Sequence, residues 1–285
     1  MKRIAVSGAT GFVGSRLCPY LEGLGYEVVP LGRDLFSSDD KQRLHSIIAG
    51  VDAVINLAGA TINQCWSRCA KESILKSRVY TTRRIVEAMN HSLRQQTLIS
   101  ASAVGYYPSV GCYDESSRDI QNRSFLARVC SVWEGEAREL KSPKRLVVAR
   151  LGVVLDEMGG ALPQMLATKR FGFLVRVGVA DRPLSWIARE DLVRAVAFLI
   201  ARDDIEGVVN LTAPCLTLQE DLLEAAKQHY GSRFILPIPT TLLSIVFGER
   251  SEVITSSQCV TPQRLLDAGY EFEYPTIDTI FSSCR

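Results

Sequence analysis

Residues 4–14 read Ile4-Ala5-Val6-Ser7-Gly8-Ala9-Thr10-Gly11-Phe12-Val13-Gly14, an apolar run that breaks into glycines three apart. The apolar run has the character of a buried strand, and the residues after it open an amphipathic helix. Glycine at Gly8, Gly11 and Gly14 leaves backbone N–H groups open to close approach by a pyrophosphate, and the helix N-terminus adds a favourable dipole. Thr10, Phe12 and Val13 stand between the glycines and are counted with them as cofactor contacts.

Context makes the pattern specific, because three glycines so close together also occur in ordinary turns. The helix is expected over 12–24, and after Gly25 a second strand over 26–31 completes a βαβ unit. The spacing is G-x-x-G-x-x-G rather than G-x-G-x-x-G. In this it resembles the short-chain dehydrogenase/reductase superfamily, in particular its extended, epimerase-like branch.

The residue after the second strand of such a unit discriminates between cofactors, since a carboxylate accepts from ribose hydroxyls whereas an arginine pairs with a 2′-phosphate. Here Gly32-Arg33 occupies that place, which favours NADP over NAD. Asp34 follows directly, and Asp34-Leu35 also resembles the pair that contacts adenine in many relatives after a further strand. The alternative for Arg33 is a solvated charge at a strand end.

Further along, 53–59 reads A-V-I-N-L-A-G, a buried parallel strand ending in small residues, where ligands of open α/β sheets sit. Asn56, Leu57, Ala58 and Gly59 are therefore candidates for the cofactor wall. Helical stretches are expected over 38–49 and 70–90, with strands over 97–102 and 146–155, an alternation that predicts a doubly wound α/β fold. The Rossmann-like domain is assigned to 1–155, with a return segment at 186–212 that brings a helix over 190–202 and a strand over 208–211 back to the main sheet. Residues 156–285, with Gly159-Gly160 and scattered prolines, read as a smaller, irregular substrate-side lobe interleaved with it.

Composition narrows the function classes. The 33 basic and 31 acidic residues leave a net charge of +2, with no block of like charge to attract nucleic acid or an anionic membrane. No apolar run reaches the ~18 residues needed to span a bilayer. The eight cysteines are scattered without a C-x-x-C pair, and with only three histidines no metal site is expected. Most of the cysteines are expected to be buried, reduced thiols, and with no export signal in the N-terminal residues they point to the cytoplasm. The expected partner is a small-molecule substrate, and self-association as a homodimer is left open.

The extended branch uses a serine to orient substrate, a tyrosine as general acid/base, and a lysine four residues on that lowers the tyrosine's pKa. The run Ile99-Ser100-Ala101-Ser102-Ala103-Val104-Gly105-Tyr106-Tyr107 resembles its serine-rich strand end, with Ser102 the matching serine. The helix that should carry Tyr-x-x-x-Lys reads F-L-A-R-V-C-S-V-W-E-G-E over 125–136. Aligned on Glu134, the missing positions fall at Leu126 and Cys130. This F-L-x-x-x-C-x-x-W-E pattern resembles an atypical epimerase-like subfamily that also shows S-A-x-G-Y-Y and R-x-G-x-V-L. The match continues through Pro183 to Ile187, Gly207 to Asn210, Thr261 to Leu265, and Gly269-Tyr270, so it covers nearly the whole chain. Where that subfamily has W-I-H, this chain has Trp186-Ile187-Ala188.

Several residues are left to compensate. Tyr106 and Tyr107 lie where the nicotinamide is expected, and Tyr106 is the candidate acid/base or pocket wall. Cys130 is read as a structural thiol ahead of a reactive one. Arg78, where relatives place a cofactor-contacting asparagine, either reaches the phosphates or is a surface charge. Arg150 ends a buried strand and requires a carboxylate or a phosphate, which makes it a candidate ligand contact. The leading expectation is an NADP-binding oxidoreductase or epimerase-like enzyme with Ser102 orienting a small carbonyl or hydroxyl substrate. The rival is a catalytically inactive NADP-binding regulator or scaffold.

Overall fold

The computed structural model describes residues 2–37, 41–118, 120–240 and 257–282. In chain order the first half runs β1 (Arg3–Ser7), α1 (Gly14–Gly23), β2 (Glu27–Leu31), α2 (Asp34–Ser37), α3 (Lys41–Ala49), β3 (Ala53–Asn56), α4 (Arg68–His91), β4 (Thr97–Ala103), β5 (Cys112–Tyr113) and α5 (Phe125–Arg138). The second half runs β6 (Arg145–Leu151), β7 (Val153–Asp156), β8 (Gly159–Gly160), α6 (Leu162–Met165), β9 (Phe173–Val177), β10 (Trp186–Ala188) and α7 (Arg189–Ala201). It continues with β11 (Gly207–Leu211), α8 (Gln219–Tyr230), β12 (Phe234–Ile238), β13 (Cys259–Val260), α9 (Gln263–Asp267) and α10 (Ile277–Ser282).

The main sheet has the order β11-β6-β4-β3-β1-β2, and every neighbouring pair is parallel. Its strands read as apolar runs because both faces are covered. Successive residues alternate between the layers: Ile4, Val6 and Ile99 pack with Leu17, Leu21 and the apolar side of α7. Ala5, Val54 and Leu98 pack with Leu44, Ile48, Ile85 and Met89 on the opposite face. This is the doubly wound arrangement expected from the alternation of elements. Among the described residues no helix is long and apolar enough to cross a membrane.

The run 146–155 is not one strand. At Gly152 the chain leaves the main sheet: the Gly152 N–H donates to Leu211 O, and the next N–H, of Val153, donates to Ser185 O. β7 then pairs with β10 in parallel and with β8 in antiparallel fashion, in a separate small sheet. Of the return segment, 186–188 belongs to that small sheet, and α7 and β11 rejoin the main layers. The lobe has its own core around Leu162, Leu174, Trp186, Leu222 and Phe281. Leu265 and Tyr270, near the end of the chain, pack back into the main core.

The expectation of scattered reduced thiols is corrected. Cys112 and Cys259, 147 residues apart, form a disulfide that joins β5 to β13, and Cys65, Cys69 and Cys215 are exposed. Of the eight cysteines, Cys284 lies outside the described residues. Parallel pairing of β5 with β13 brings together two cysteines that no sequence spacing connects, and the argument from reduced thiols to the cytoplasm loses its support.

Candidate functional site

The glycine turn forms at the C-terminal end of β1. Gly8 has φ +73, a left-handed conformation that favours glycine, and a Cβ there would stand 3.0 Å from the backbone of Leu57. A Cβ on Gly14 would overlap the Gly8 carbonyl oxygen. The turn is closed by Gly11 N–H donating to Gly8 O at 2.9 Å, and Ser15 N–H donates to Gly11 O at the start of α1. The result is a cradle between the N-terminus of α1 and the Leu57-Ala58 backbone, packed more closely than Cβ atoms at Gly8 or Gly14 would allow. Its shape suits a pyrophosphate held by backbone N–H groups.

A buried polar chain fixes the floor of this cradle. Ser7 Oγ donates to Asn56 Oδ1 at 2.6 Å, and Asn56 Nδ2 donates to Thr82 Oγ1 at 2.8 Å. Trp133 Nε1 donates to the same Thr82 oxygen at 2.9 Å. The ends of β1 and β3 are thereby tied to α4 and α5, and Asn56 serves the scaffold. Beyond it, Arg78 Nη1 donates to Ala60 O and Ile74 O at 3.0 Å each, and the guanidinium lies against Gly59 and over the Trp133 ring. Burial lowers the Arg78 pKa, and among the described residues it meets no carboxylate. Arg78 is thus not a solvated surface charge, and among the described residues it forms no ion pair.

At the end of β2, Gly32 and Arg33 are exposed, and Arg33 has no ion pair among the described residues. Asp34 is turned aside, since Arg43 Nη1 donates to its Oδ2 at 2.8 Å. Asp34-Leu35 belongs to α2, which directly follows β2 and Gly32-Arg33.

Ser102, at the end of β4, is buried together with Glu134 of α5 and Arg150 of β6. Ser102 Oγ donates to Glu134 Oε1 at 2.7 Å. Arg150 grips the same carboxylate with Nε and Nη2, each at 2.8 Å, and Arg138 Nη2 donates to Oε2 at 2.7 Å. Burial works against the charge on Glu134, yet Arg150, then Ser102 and Arg138, hold its pKa below the usual carboxylate value. The burial cost on Arg150 is likewise outweighed by Glu134, and its pKa is raised. Arg150 therefore finds, in Glu134, the carboxylate that its burial requires.

The two tyrosines differ in what they do. Tyr107 is fully buried, and its hydroxyl bonds to Asn210 Oδ1 at 3.0 Å and Asp114 O at 3.2 Å. Tyr106 is only half-buried, its ring lies 3.7 Å from the Arg150 guanidinium, and its hydroxyl has no hydrogen-bond partner among the described residues. At the positions of the missing pair, Leu126 packs beside Gly105 and Trp66. The Cys130 thiol donates to Ala103 O at 3.7 Å, and burial, reinforced by the Glu134 charge, pushes its pKa up to about 11. It is a protonated, structural thiol. No group of three or more metal-ligating side chains occurs among the described residues.

In the sequence pattern Glu134 serves only as an alignment mark, with no role assigned to it. It lies on the buried face of α5 with Cys130 and Ala137 at helical spacing, and a carboxylate on that face is itself a signal for a buried cation.

The family model for the NAD dependent epimerase/dehydratase family matches residues 4–127, and one for a domain of unknown function (DUF1731) matches residues 238–283. An epimerase family protein of Mycobacterium bovis is 33% identical over 287 residues, covering 96% of this chain and 94% of that protein. The chloroplastic SDR39U1 homolog of Arabidopsis thaliana, also named an epimerase family protein, is 32% identical over 290 residues, covering 95% and 83%. Among solved structures, human epimerase family protein SDR39U1 (isoform 2) with NADPH superposes with a TM-score of 0.90 at 28% identity, over 99% of this chain and 98% of that one. A dTDP-4-dehydrorhamnose reductase from Bacillus anthracis, in complex with NADP, shares the fold with a TM-score of 0.79 at 15% identity, covering 99% and 98%.

Proposed function

The chain belongs to the NAD-dependent epimerase/dehydratase family, and from that premise we propose that it binds NADPH and acts as an epimerase- or oxidoreductase-like protein on a small carbonyl or hydroxyl substrate. The observation that carries this reading is the glycine cradle beside Leu57, with the exposed Arg33 guanidinium, which has no ion pair among the described residues, at the end of the adjacent strand. NADPH in the human relative's structure supports it.

In this reading the backbone of Gly8, Thr10, Gly11, Phe12, Val13 and Gly14 takes the pyrophosphate, and Gly32-Arg33 takes the 2′-phosphate. Leu57, Ala58 and Gly59 form the wall, with Arg78 holding that wall against α4. The cofactor supplies hydride transfer at its nicotinamide.

Ser102 and Tyr106 are the proposed substrate contacts. Because Glu134 is an ionised, acceptor-only carboxylate, Ser102 spends its proton on it and offers a lone pair to substrate. Ser102 therefore accepts from a substrate hydroxyl rather than donating to a carbonyl, which revises the role expected from the family pattern. Tyr106, stacked on Arg150 and with no hydroxyl partner among the described residues, is the proposed proton donor.

A second reading, an NADPH-binding regulator without chemistry, draws on Leu126 and the protonated Cys130 at the positions of the missing tyrosine and lysine. Single-turnover oxidation of bound NADPH against a panel of small carbonyl compounds separates the two. Turnover supports the enzyme, and tight binding without turnover across the panel supports the regulator.

A further inference from the structure

The glycine turn is loose by composition, yet one of its residues is fixed from outside. Between Gly11 and Gly14 the N–H groups of Phe12 and Val13 donate to no backbone carbonyl among the described residues, so no bond of that kind sets their direction. The Phe12 side chain supplies an anchor instead. Its ring lies against β8 of the lobe so closely that a Cβ on Gly160 would stand 2.6 Å from Cε1, and one on Gly159 2.9 Å from Cε2. For Gly159 the three nearest heavy atoms would all belong to this ring. The glycine pair of the lobe is therefore a socket that side chains at either position would fill.

The socket is closed and braced by charged side chains. The Arg189 guanidinium stands over the Phe12 ring at 4.9 Å, and its Nε lies 2.8 Å from Asp156 Oδ2. Asp156 Oδ1 accepts from Met158 N–H at 2.7 Å and so folds the turn between β7 and β8. One carboxylate thus shapes the hairpin that carries the socket and aims the cation that covers it. The Tyr230 hydroxyl donates to Glu157 Oε1 at 2.7 Å and ties the same hairpin to α8. Beside Arg189, Glu190 accepts from Arg16 through both oxygens, at 2.8 and 2.9 Å. The first two residues of α7 accordingly hold Phe12 and Arg16, which stand about one helical turn apart at the start of α1.

We propose that Phe12 is a positioning residue for the cofactor's pyrophosphate, seated by Gly159-Gly160 and capped by Arg189, so that the lobe sets the shape of the glycine turn. The proposal rests on the cofactor reading above and extends the binding machinery to residues outside the turn. The seat is made of the chain's own groups, so it acts by preorganisation: the turn is ordered in folding rather than at the expense of binding. Because NADPH and NADH share the pyrophosphate, the seat governs affinity for both and selects neither.

The test is fluorescence titration of NADPH and NADH against the full chain as wild type, Gly159→Ala, Arg189→Ala, Phe12→Ala, and the two double variants that combine Phe12→Ala with each of the others. Thermal midpoints without cofactor are measured alongside. Gly159 serves better than Gly160, which has φ +71 and would be strained by any side chain. Gly159→Ala and Arg189→Ala are each expected to weaken both dinucleotides by the same factor, about 3- to 10-fold, leaving the preference between them as in the wild type. In the Phe12→Ala background neither change should weaken binding further, because the ring on which both act is gone. Where Gly159→Ala lowers the midpoint, Arg189→Ala, which leaves the hairpin backbone untouched, decides. Unchanged affinity in the single variants, a weakening that persists in full without the ring, or a loss confined to NADPH would overturn the seat while leaving the cofactor reading intact. A wild type that binds neither dinucleotide would overturn both.

Discussion

Ser102 Oγ donates to Glu134 Oε1 at 2.7 Å, and the same carboxylate is clamped through both oxygens by Arg150. The serine that marks the site is therefore held by a buried ion pair that also orders α5 against β4 and β6. Removing one partner of such a pair leaves an uncompensated buried charge and typically costs about 3–5 kcal/mol. Glu134→Gln should lose stability on that scale in urea unfolding, whereas Ser102→Ala, which removes only one hydrogen bond, should lose about 1 kcal/mol.

The Glu134 pKa lies below its ordinary value in the folded state, so folding favours the ionised form. Its stabilising contribution is fully present above the unfolded value of 4.5 and is lost as pH falls through the lower folded value. The stability difference between wild type and Glu134→Gln should accordingly hold steady from neutral pH to about pH 5 and shrink below about pH 4. A difference independent of pH across that range would contradict the assignment of the charge to Glu134.

The adjacent tyrosines should separate cleanly. Tyr107→Phe removes a buried hydroxyl bonded to Asn210 and Asp114 and should cost about 1 kcal/mol in stability. Tyr106→Phe removes a hydroxyl without a partner among the described residues and should leave stability unchanged. Only the Tyr106 change should slow NADPH oxidation in single-turnover measurements.

Within the glycine turn the two later glycines predict different outcomes. A Cβ on Gly14 would overlap the Gly8 carbonyl, so Gly14→Ala should disrupt the turn and lower stability. A Cβ on Gly11 would meet only Gly8 O, at 3.1 Å, so Gly11→Ala should fold with a change of about 1 kcal/mol or less. It should still weaken NADPH binding at least ~10-fold, because the methyl group occupies the space a phosphate needs. Fluorescence titration and thermal unfolding of the two variants make the comparison.

The Cys112–Cys259 disulfide joins the segment after Tyr107 to the C-terminal part of the chain. Peptide mapping of oxidised, alkylated protein should recover these two cysteines cross-linked and Cys65, Cys69 and Cys215 alkylated. Cys112→Ser should lower unfolding free energy by about 2–4 kcal/mol. Recovery of both as free thiols would contradict the pairing.

The fold was legible because its signals are local: the turn at Gly8 to Gly14, the apolar strands and the helical spacing of α4 and α5 are each written in contiguous residues. The Gly152 hand-off between sheets was not, since it depends on β11 and on Ser185, distant in sequence. The same limit applied at the site. Ser102, Arg33 and the missing Tyr-x-x-x-Lys were visible, but the partner of Arg150 lay 16 residues away on a helix, and Cys112 met Cys259 only through parallel pairing. The gripping of Phe12 by the lobe likewise follows from tertiary approach alone.

Titration of NADPH and NADH against the wild type and Arg33→Ala asks whether the cradle is built for a 2′-phosphorylated dinucleotide. The wild type should bind NADPH at least ~10-fold more tightly than NADH, and Arg33→Ala should remove most of this preference by weakening NADPH while leaving NADH nearly unchanged. Equal affinities in the wild type, or a preference that survives in Arg33→Ala, would contradict it.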